Sequence, residues 1–311
     1  MTHADTTTDA AGGLQPRRRT IAIECRGQPG ALAALDFGDP GRPIDVVFLH
    51  ANGFNAMTYR SVLAPLAGRL RILAVDQQGH GRSPQRVAAE GRMDWLDLRD
   101  DLLGLLAALD GPPVVLAGHS MGGAVSILAA AERPAAVRGL ALFDPVIVPR
   151  DMVAAARGLA EPPHRDNPPA LGARRRRAYF PSRAAAIESY TGRGAFKTWP
   201  TQALADYVED GFRDRPDGEV ELTAAPEWES SNFSAHMNDV WSALDGLRMP
   251  IAILRAEIAS TCNLTSAEPY SAANPDFSVE TIAGATHFLP LERPDLVAAT
   301  LIDVAGHDQG R

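Results

Sequence analysis

The sequence is poor in cysteine and aromatic side chains and has no long apolar run. Two cysteines in 311 residues, Cys25 and Cys262, are too distant to suggest a disulfide framework or the paired spacing of a zinc site. Reduced thiols in a cytoplasmic protein are the expectation. No run of about 18 apolar residues occurs, so a transmembrane helix is excluded and no membrane partner is expected. Basic charge is also short: 30 Lys and Arg against 38 Asp and Glu give a net charge of -8. That balance argues against a general nucleic-acid binder, whose phosphate contacts need a basic surface. The run Arg174–Arg177 is expected as the solvated face of a helix, with an anion or partner site as the alternative. The polar, small-residue start suggests a disordered tail over residues 1–19. Arg17–Arg19 is not followed by the apolar segment an export signal requires.

At 45% hydrophobic residues the chain has the material for one large domain, or for a core with an insertion. Apolar, β-branched runs at Thr20–Cys25, Ala31–Phe37, Asp45–His50, Arg71–Asp76, Pro113–Ala117, Val137–Phe143, Ile251–Arg255 and Ser278–Ile282 alternate with helical patterns. The clearest helix is Asp94–Leu109, with Trp95, Leu98, Leu102, Leu105 and Leu109 on one face and Asp-Gly-Pro-Pro stopping it. This alternation predicts an α/β fold built on a mostly parallel sheet covered on both faces. It lapses over residues 149–248, which are expected to form a mainly helical cap, and it flanks that stretch as a core over 20–148 and 249–311.

At the end of one strand stands Gly118-His119-Ser120-Met121-Gly122, a G-x-S-x-G pattern. A serine at a tight strand-to-helix turn needs small residues two positions away on each side, so that strand and helix can approach. The helix that follows aims its N-terminal dipole and free N–H groups at the serine. Other strand ends place His50-Ala51-Asn52-Gly53-Phe54, Asp76 with the segment Gln77–Ser83, and His287 in "GATHFLPLERPD".

These motifs, in this order, resemble those of the α/β-hydrolase superfamily from about residue 20 to 305. The resemblance implies a mostly parallel eight-stranded sheet flanked by helices, with a helical cap inserted after strand 6. It makes Ser120 the nucleophile and His287 the general base, a role that suits an imidazole titrating near neutrality. The oxyanion hole would take one donor from the Met121 N–H. The family usually has His-Gly where this chain has His50-Ala51, so the second donor is assigned to Asn52, through its backbone N–H and its side-chain amide. His50 and His80 are read as fixing turns, His119 as a neighbour common in such elbows, and His236 as facing the pocket or packing in the cap.

The third catalytic group is less direct. The family's usual acid follows the seventh strand in a Gly-Glu-x-Asp pattern, but this chain reads Ala256-Glu257-Ile258-Ala259. In relatives such as haloalkane dehalogenases the acid ends the sixth strand, and Asp144 stands at that position here. Asp144 is therefore the first candidate, Glu257 the second, and a dyad or a distant acid such as Glu268 or Asp276 the third.

The expected chemistry is that of a serine esterase acting on a small-molecule carboxylic ester, with hydrophobic acyl or aryl parts, through a Ser-His-Asp triad and an acyl-enzyme. No metal or organic cofactor is required. A lactone, a thioester or a C–C bond beside a carbonyl could meet the same nucleophile, and a small-ligand receptor with vestigial catalysis is an alternative of another class. A serine at the elbow speaks against dehalogenase or epoxide hydrolase activity, whose relatives carry aspartate there. Tyr179, Phe180, Phe196, Trp199, Phe212, Trp228, Phe233 and Trp241 are the apolar candidates for a pocket wall or for the cap's own core. Oligomeric state is not legible in the sequence.

Overall fold

A computed structural model describes residues 15–156, 167–235 and 237–306. Eight strands form the main sheet: β1 (Arg17–Cys25), β2 (Gln28–Phe37), β3 (Val46–Leu49), β4 (Ile72–Val75), β5 (Val114–His119), β6 (Val137–Phe143), and, after a long intervening segment, β10 (Ile251–Ile258) and β11 (Phe277–Thr286). Their order is β1-β2-β4-β3-β5-β6-β10-β11. The β1–β2 and β2–β4 pairs are antiparallel, and every pair from β4 onward is parallel.

The continuous apolar runs arise because the central strands are covered on both faces. In β3, Val46 and Phe48 point into one core while Val47 and Leu49 point into the other, as the two-residue period of a strand requires. Helices α2 (Leu96–Ala108) and α3 (Met121–Glu132) close one face. On the other face lie α1 (Arg60–Leu63) and, at the C-terminal end of the chain, α12 (Pro294–Gly306). Among the described residues no helix is long and apolar enough to cross a membrane.

Two expectations change here. Arg17–Arg19, expected in a tail, begin β1 instead. Their guanidinium groups meet acids: Arg17 and Arg19 reach the buried Asp36 at 3.0 and 3.4 Å, and Arg18 reaches Asp210 at 2.7 Å. Strand pairing with β2 sets Arg17 opposite Asp36, so cross-strand charge, not an apolar pattern, marks this strand end.

The second change concerns the segment between β6 and β10. It carries helices α4 (Arg150–Ala156), α5 (Pro168–Arg174), α6 (Arg183–Tyr190), α7 (Thr201–Gly211), α8 (Pro226–Ser234) and α9 (Val240–Asp245). It also holds three short strands, β7 (Tyr179–Phe180), β8 (Phe212–Asp214) and β9 (Val220–Leu222), in an antiparallel sheet of order β7-β9-β8. Strands of two or three residues are too short for a period to be read. Helix α9 packs on α3, among the core helices. Arg174, Arg175 and Arg177 are exposed, but Arg176 turns inward to Glu229 at 2.5 Å. The solvated-face reading therefore fails at Arg176.

Two short helices complete the chain, α10 (Glu268–Ser271) and α11 (Leu289–Glu292).

Candidate active site

Ser120 lies between β5 and α3 with φ 57° and ψ -119°, a left-handed backbone that a non-glycine residue adopts only under constraint. The constraint is the close approach of strand and helix. A Cβ on Gly118 would stand 2.4 Å from the Gly122 carbonyl carbon, and one on Gly122 would stand 2.5 Å from the Leu49 oxygen. Both flanking glycines are thus required by contact with backbone, which cannot yield.

The strand ends bring three side chains together. His287, which follows β11, has Nε2 3.0 Å from Ser120 Oγ and Nδ1 2.6 Å from Asp144 Oδ2. The Ser120 hydroxyl donates to Nε2, and the Nδ1–H donates to the carboxylate. Asp144 leaves β6 with φ 43° and is fully buried. Its carboxylate also accepts from Ala256 N (2.8 Å), Ser260 Oγ (2.5 Å) and Thr261 N (3.0 Å). Burial pushes its pKa up, but the donors His287, Ser260 and Ala256 outweigh that and hold it down at about 2.

The other acid candidates lie elsewhere. Glu257 accepts from Gly284 N at 2.8 Å in an exposed position. Glu268 is exposed in α10. The Asp276 carbonyl bonds Ile251 N at the start of β10, the opposite edge of the sheet from His287. Sequence reading missed Ser260 and Thr261. In "RAEIAST" they sit just beyond the place where the usual acid is sought, and two hydroxyls adjoining a missing aspartate were the available signal.

Asn52 and Met121 line the same cavity as Ser120 and His287. Among the described residues their backbone N–H groups have no acceptor. The Asn52 side chain is partly committed: its Nδ2 donates to the Glu229 carbonyl at 2.9 Å, which engages one of the two N–H bonds of the amide. The loop around Asn52 is held by neighbouring histidines. His50 Nε2 accepts from Gln77 N at 2.9 Å and its Nδ1 lies 2.7 Å from Ala51 O, while His80 Nε2 accepts from Gly53 N at 3.1 Å. Burial lowers the His50 pKa to about 4 and that of His80 well below 6.5, which suits neutral rings accepting from backbone N–H groups.

His119 ties this loop to the histidine of the relay. Its Nδ1 takes the Tyr59 hydroxyl at 2.7 Å, its Nε2 lies 2.7 Å from the His287 carbonyl, and Tyr59 accepts from Ala51 N at 3.2 Å. Burial, then the proximity of His287, lowers the His119 pKa to about 3. The neutral ring therefore donates through Nε2 and accepts through Nδ1. His236 lies outside the described residues.

The cavity measures about 680 Å³ and its lining is mostly apolar, including Phe54, Trp95, Met121, Val146, Phe233 and Phe288. Of the eight aromatic candidates from the intervening segment, Phe233 alone lines it. Phe180, Phe196, Trp199 and Phe212 pack into a cluster with Tyr190 and Tyr207. Trp228 is buried under Arg92, Trp241 is covered by Arg150, and Tyr179 is exposed beneath Arg215. Among the described residues no cluster of three or more His, Cys, Asp or Glu could hold a metal ion. A relay of this kind can move a proton off a hydroxyl, and its unpaired N–H groups can receive a negative oxygen.

The chain is 25% identical over 257 residues to a 2-(acetamidomethylene)succinate hydrolase of Mesorhizobium japonicum, covering 81% of this chain and 84% of that protein. A mouse sn-1-specific diacylglycerol lipase is 37% identical over 148 residues, but these span only 46% of its length and 43% of this chain. In structure, an E-2-(acetamidomethylene)succinate hydrolase superposes with a TM-score of 0.72 at 21% identity, over 93% of this chain and 99% of that one, a likeness of fold. The model of the Alpha/beta hydrolase family matches residues 46–300, and this chain belongs to that family.

Proposed function

We propose that the chain is a serine hydrolase cleaving a carboxylic ester with a small or medium, hydrophobic acyl or aryl part. The observation that carries this reading is the continuous hydrogen-bonded relay from Ser120 through His287 to Asp144, opening into a mostly apolar cavity.

In this reading His287 takes the proton of Ser120 as the hydroxyl attacks the ester carbonyl. The backbone N–H groups of Met121 and Asn52 hold the tetrahedral oxyanion. His287 then returns the proton to the leaving alcohol, and an acyl-enzyme remains. Water, deprotonated by the same imidazole, releases the acid and restores Ser120. Asp144 fixes the Nε2-accepting tautomer of His287 and stabilises the imidazolium that forms. The segment between β6 and β10 acts as a cap in this reading, a role supported by Met152, Asn167, Ala195, Glu229 and Phe233, which line the same cavity as Ser120.

The test is nitrophenol release from p-nitrophenyl esters of increasing acyl length, with the Ser120→Ala protein as blank. Turnover that vanishes in the blank supports the reading, and the chain-length optimum sizes the pocket. A folded protein with no Ser120-dependent turnover on any ester sinks it. A second reading, hydrolysis of another acyl bond by the same residues, is favoured by one observation: the relative aligned over most of both chains is named for a substituted succinate.

A further inference from the structure

A buried chain of hydrogen bonds runs from the residue before Asn52 to the backbone of His287. The Ala51 N–H donates to the Tyr59 hydroxyl at 3.2 Å, that hydroxyl donates to His119 Nδ1 at 2.7 Å, and His119 Nε2–H donates to the His287 carbonyl at 2.7 Å. Both side chains are wholly buried. The two ends are backbone groups of fixed polarity, since an amide N–H can only donate and a carbonyl can only accept. The protons between them therefore have a single arrangement, which requires a neutral phenol and a neutral imidazole. Burial favours both, because it pushes the Tyr59 phenol up and the His119 imidazole down to about 3.

Packing alone does not ask for these polar atoms. The Tyr59 ring lies among Phe48, Phe54 and His119, with centroids 4.8, 6.3 and 6.0 Å away. Phenylalanine would fill the same space, so the hydroxyl serves its two hydrogen bonds. At the far end, the peptide between His287 and Phe288 is held from both sides: its N–H donates to Thr286 Oγ1 at 3.2 Å, and its carbonyl accepts from His119. Without the His119 bond one hold is gone, and rotation of that peptide carries the imidazole away from Ser120 Oγ, which it meets at 3.0 Å. A displacement of about 1 Å near reacting groups costs about 10²-fold in rate.

We propose that His119 is a positioning residue for His287, acting through the backbone carbonyl of that residue, and that Tyr59 fixes the tautomer in which His119 does so. The effect on rate rests on the Ser120 hydrolase reading; the positioning itself does not.

Asparagine and glutamine divide the two nitrogens of His119. Asparagine Oδ1 stands near the place of Nδ1, keeping the acceptor for Tyr59 and losing the donor to His287. Glutamine Nε2 stands near the place of the histidine Nε2 and keeps that donor. On the best p-nitrophenyl ester, with kcat taken per Ser120 site titrated by a fluorophosphonate, His119→Asn is expected to lower kcat about ten- to a hundredfold and leave KM within about twofold. His119→Gln is expected to restore most of that loss. Tyr59→Phe, which keeps the ring packing, is expected to lower kcat about three- to tenfold in the wild-type background. It should add nothing to His119→Gln, because an amide has no tautomer to choose. Proton NMR of protein carrying isotope-labelled histidine reads the His287 Nδ1–H without any turnover. Its resonance is expected to shift in His119→Asn and to stay near the wild-type position in His119→Gln.

Equal losses of kcat in the asparagine and glutamine variants, or a loss confined to KM, overturn the proposal. A Tyr59→Phe loss that persists in full on His119→Gln runs through the Ala51 loop and overturns the role given to Tyr59. If the wild-type chain shows no Ser120-dependent turnover, the hydrolase reading fails and the His287 proton decides alone. A shift in His119→Asn but not in His119→Gln then sustains the positioning, and a resonance unmoved in both refutes it. Should His119→Asn not fold, Tyr59→Phe with and without His119→Gln makes the same test, by rate and by resonance.

Discussion

His287 Nδ1 lies 2.6 Å from Asp144, a residue at the end of β6 and 143 positions earlier in the chain, and not from any acid that follows β10. The loop after β10 contributes Ser260 and Thr261 instead, both bonded to the same carboxylate. The acid and its support thus come from neighbouring strands.

Asp144→Asn is expected to lower kcat on p-nitrophenyl esters by about 10³-fold or more, because the amide favours the wrong tautomer of His287. Glu257→Gln should change kcat by less than about threefold, since among the described residues the exposed Glu257 carboxylate accepts from the Gly284 N–H and not from His287. Circular dichroism of both variants separates chemistry from folding. The reverse ranking in folded proteins refutes Asp144.

Ser260→Ala removes a charge-assisted hydrogen bond from a buried carboxylate. The Asp144 pKa should rise, and kcat should fall about tenfold while KM stays near its wild-type value. The acidic limb of the pH–kcat profile is the diagnostic, because a purely structural loss would leave its midpoint in place. Ser260→Thr, which keeps a hydroxyl, should restore most of the rate.

Stability should decline as pH falls below 6.5. Burial lowers the folded pKa of His50 to about 4, of His119 to about 3, and of His80 well below 6.5. The unfolded chain therefore binds more protons than the folded one between pH 6.5 and about 4. Two buried acids oppose this: burial raises the Asp76 pKa to about 7 and also pushes the Asp101 carboxyl up. Three groups outweigh two, and each net proton is worth about 1.4 kcal/mol per pH unit. Below about pH 4 Asp144 adds to the loss: its folded pKa is depressed, so its contribution is present above its unfolded value and disappears as pH falls toward 2. Calorimetric melting temperatures at intervals from pH 8 to 4 test this. A melting temperature that is level or rising as pH drops from 6.5 to 4 refutes it.

Arg176→Met leaves the Glu229 carboxylate uncompensated beside Gly53 and the Asn52 loop. A loss of about 3–5 kcal/mol in urea unfolding is expected, with a lower kcat, because a negative charge near the proposed oxyanion site would oppose the charge that develops there. The double variant Arg176→Met/Glu229→Gln should recover more than half of the stability. Additive losses would show that the two residues do not act as a pair.

The sequence by itself determined what depends on neighbours along the chain. Short apolar runs bounded by turn residues gave the eight strands, and Val137–Phe143 is bounded as expected. The glycines around Ser120 followed from the steric demand of the turn, and the structure supplies the contacts that enforce it. His287 was legible because it stands just past a recognisable last strand. What only the tertiary structure decided depends on which distant segments meet. Competing acids after β6 and β10 look alike until strand order sets β6 beside β10 and β10 beside β11, bringing Asp144 to His287. Arg176 reads as one of four surface arginines until α8 offers it Glu229. Local periodicity is written in the chain, whereas the pairing of buried polar groups is settled by long-range packing, where a single backbone turn can redirect a side chain.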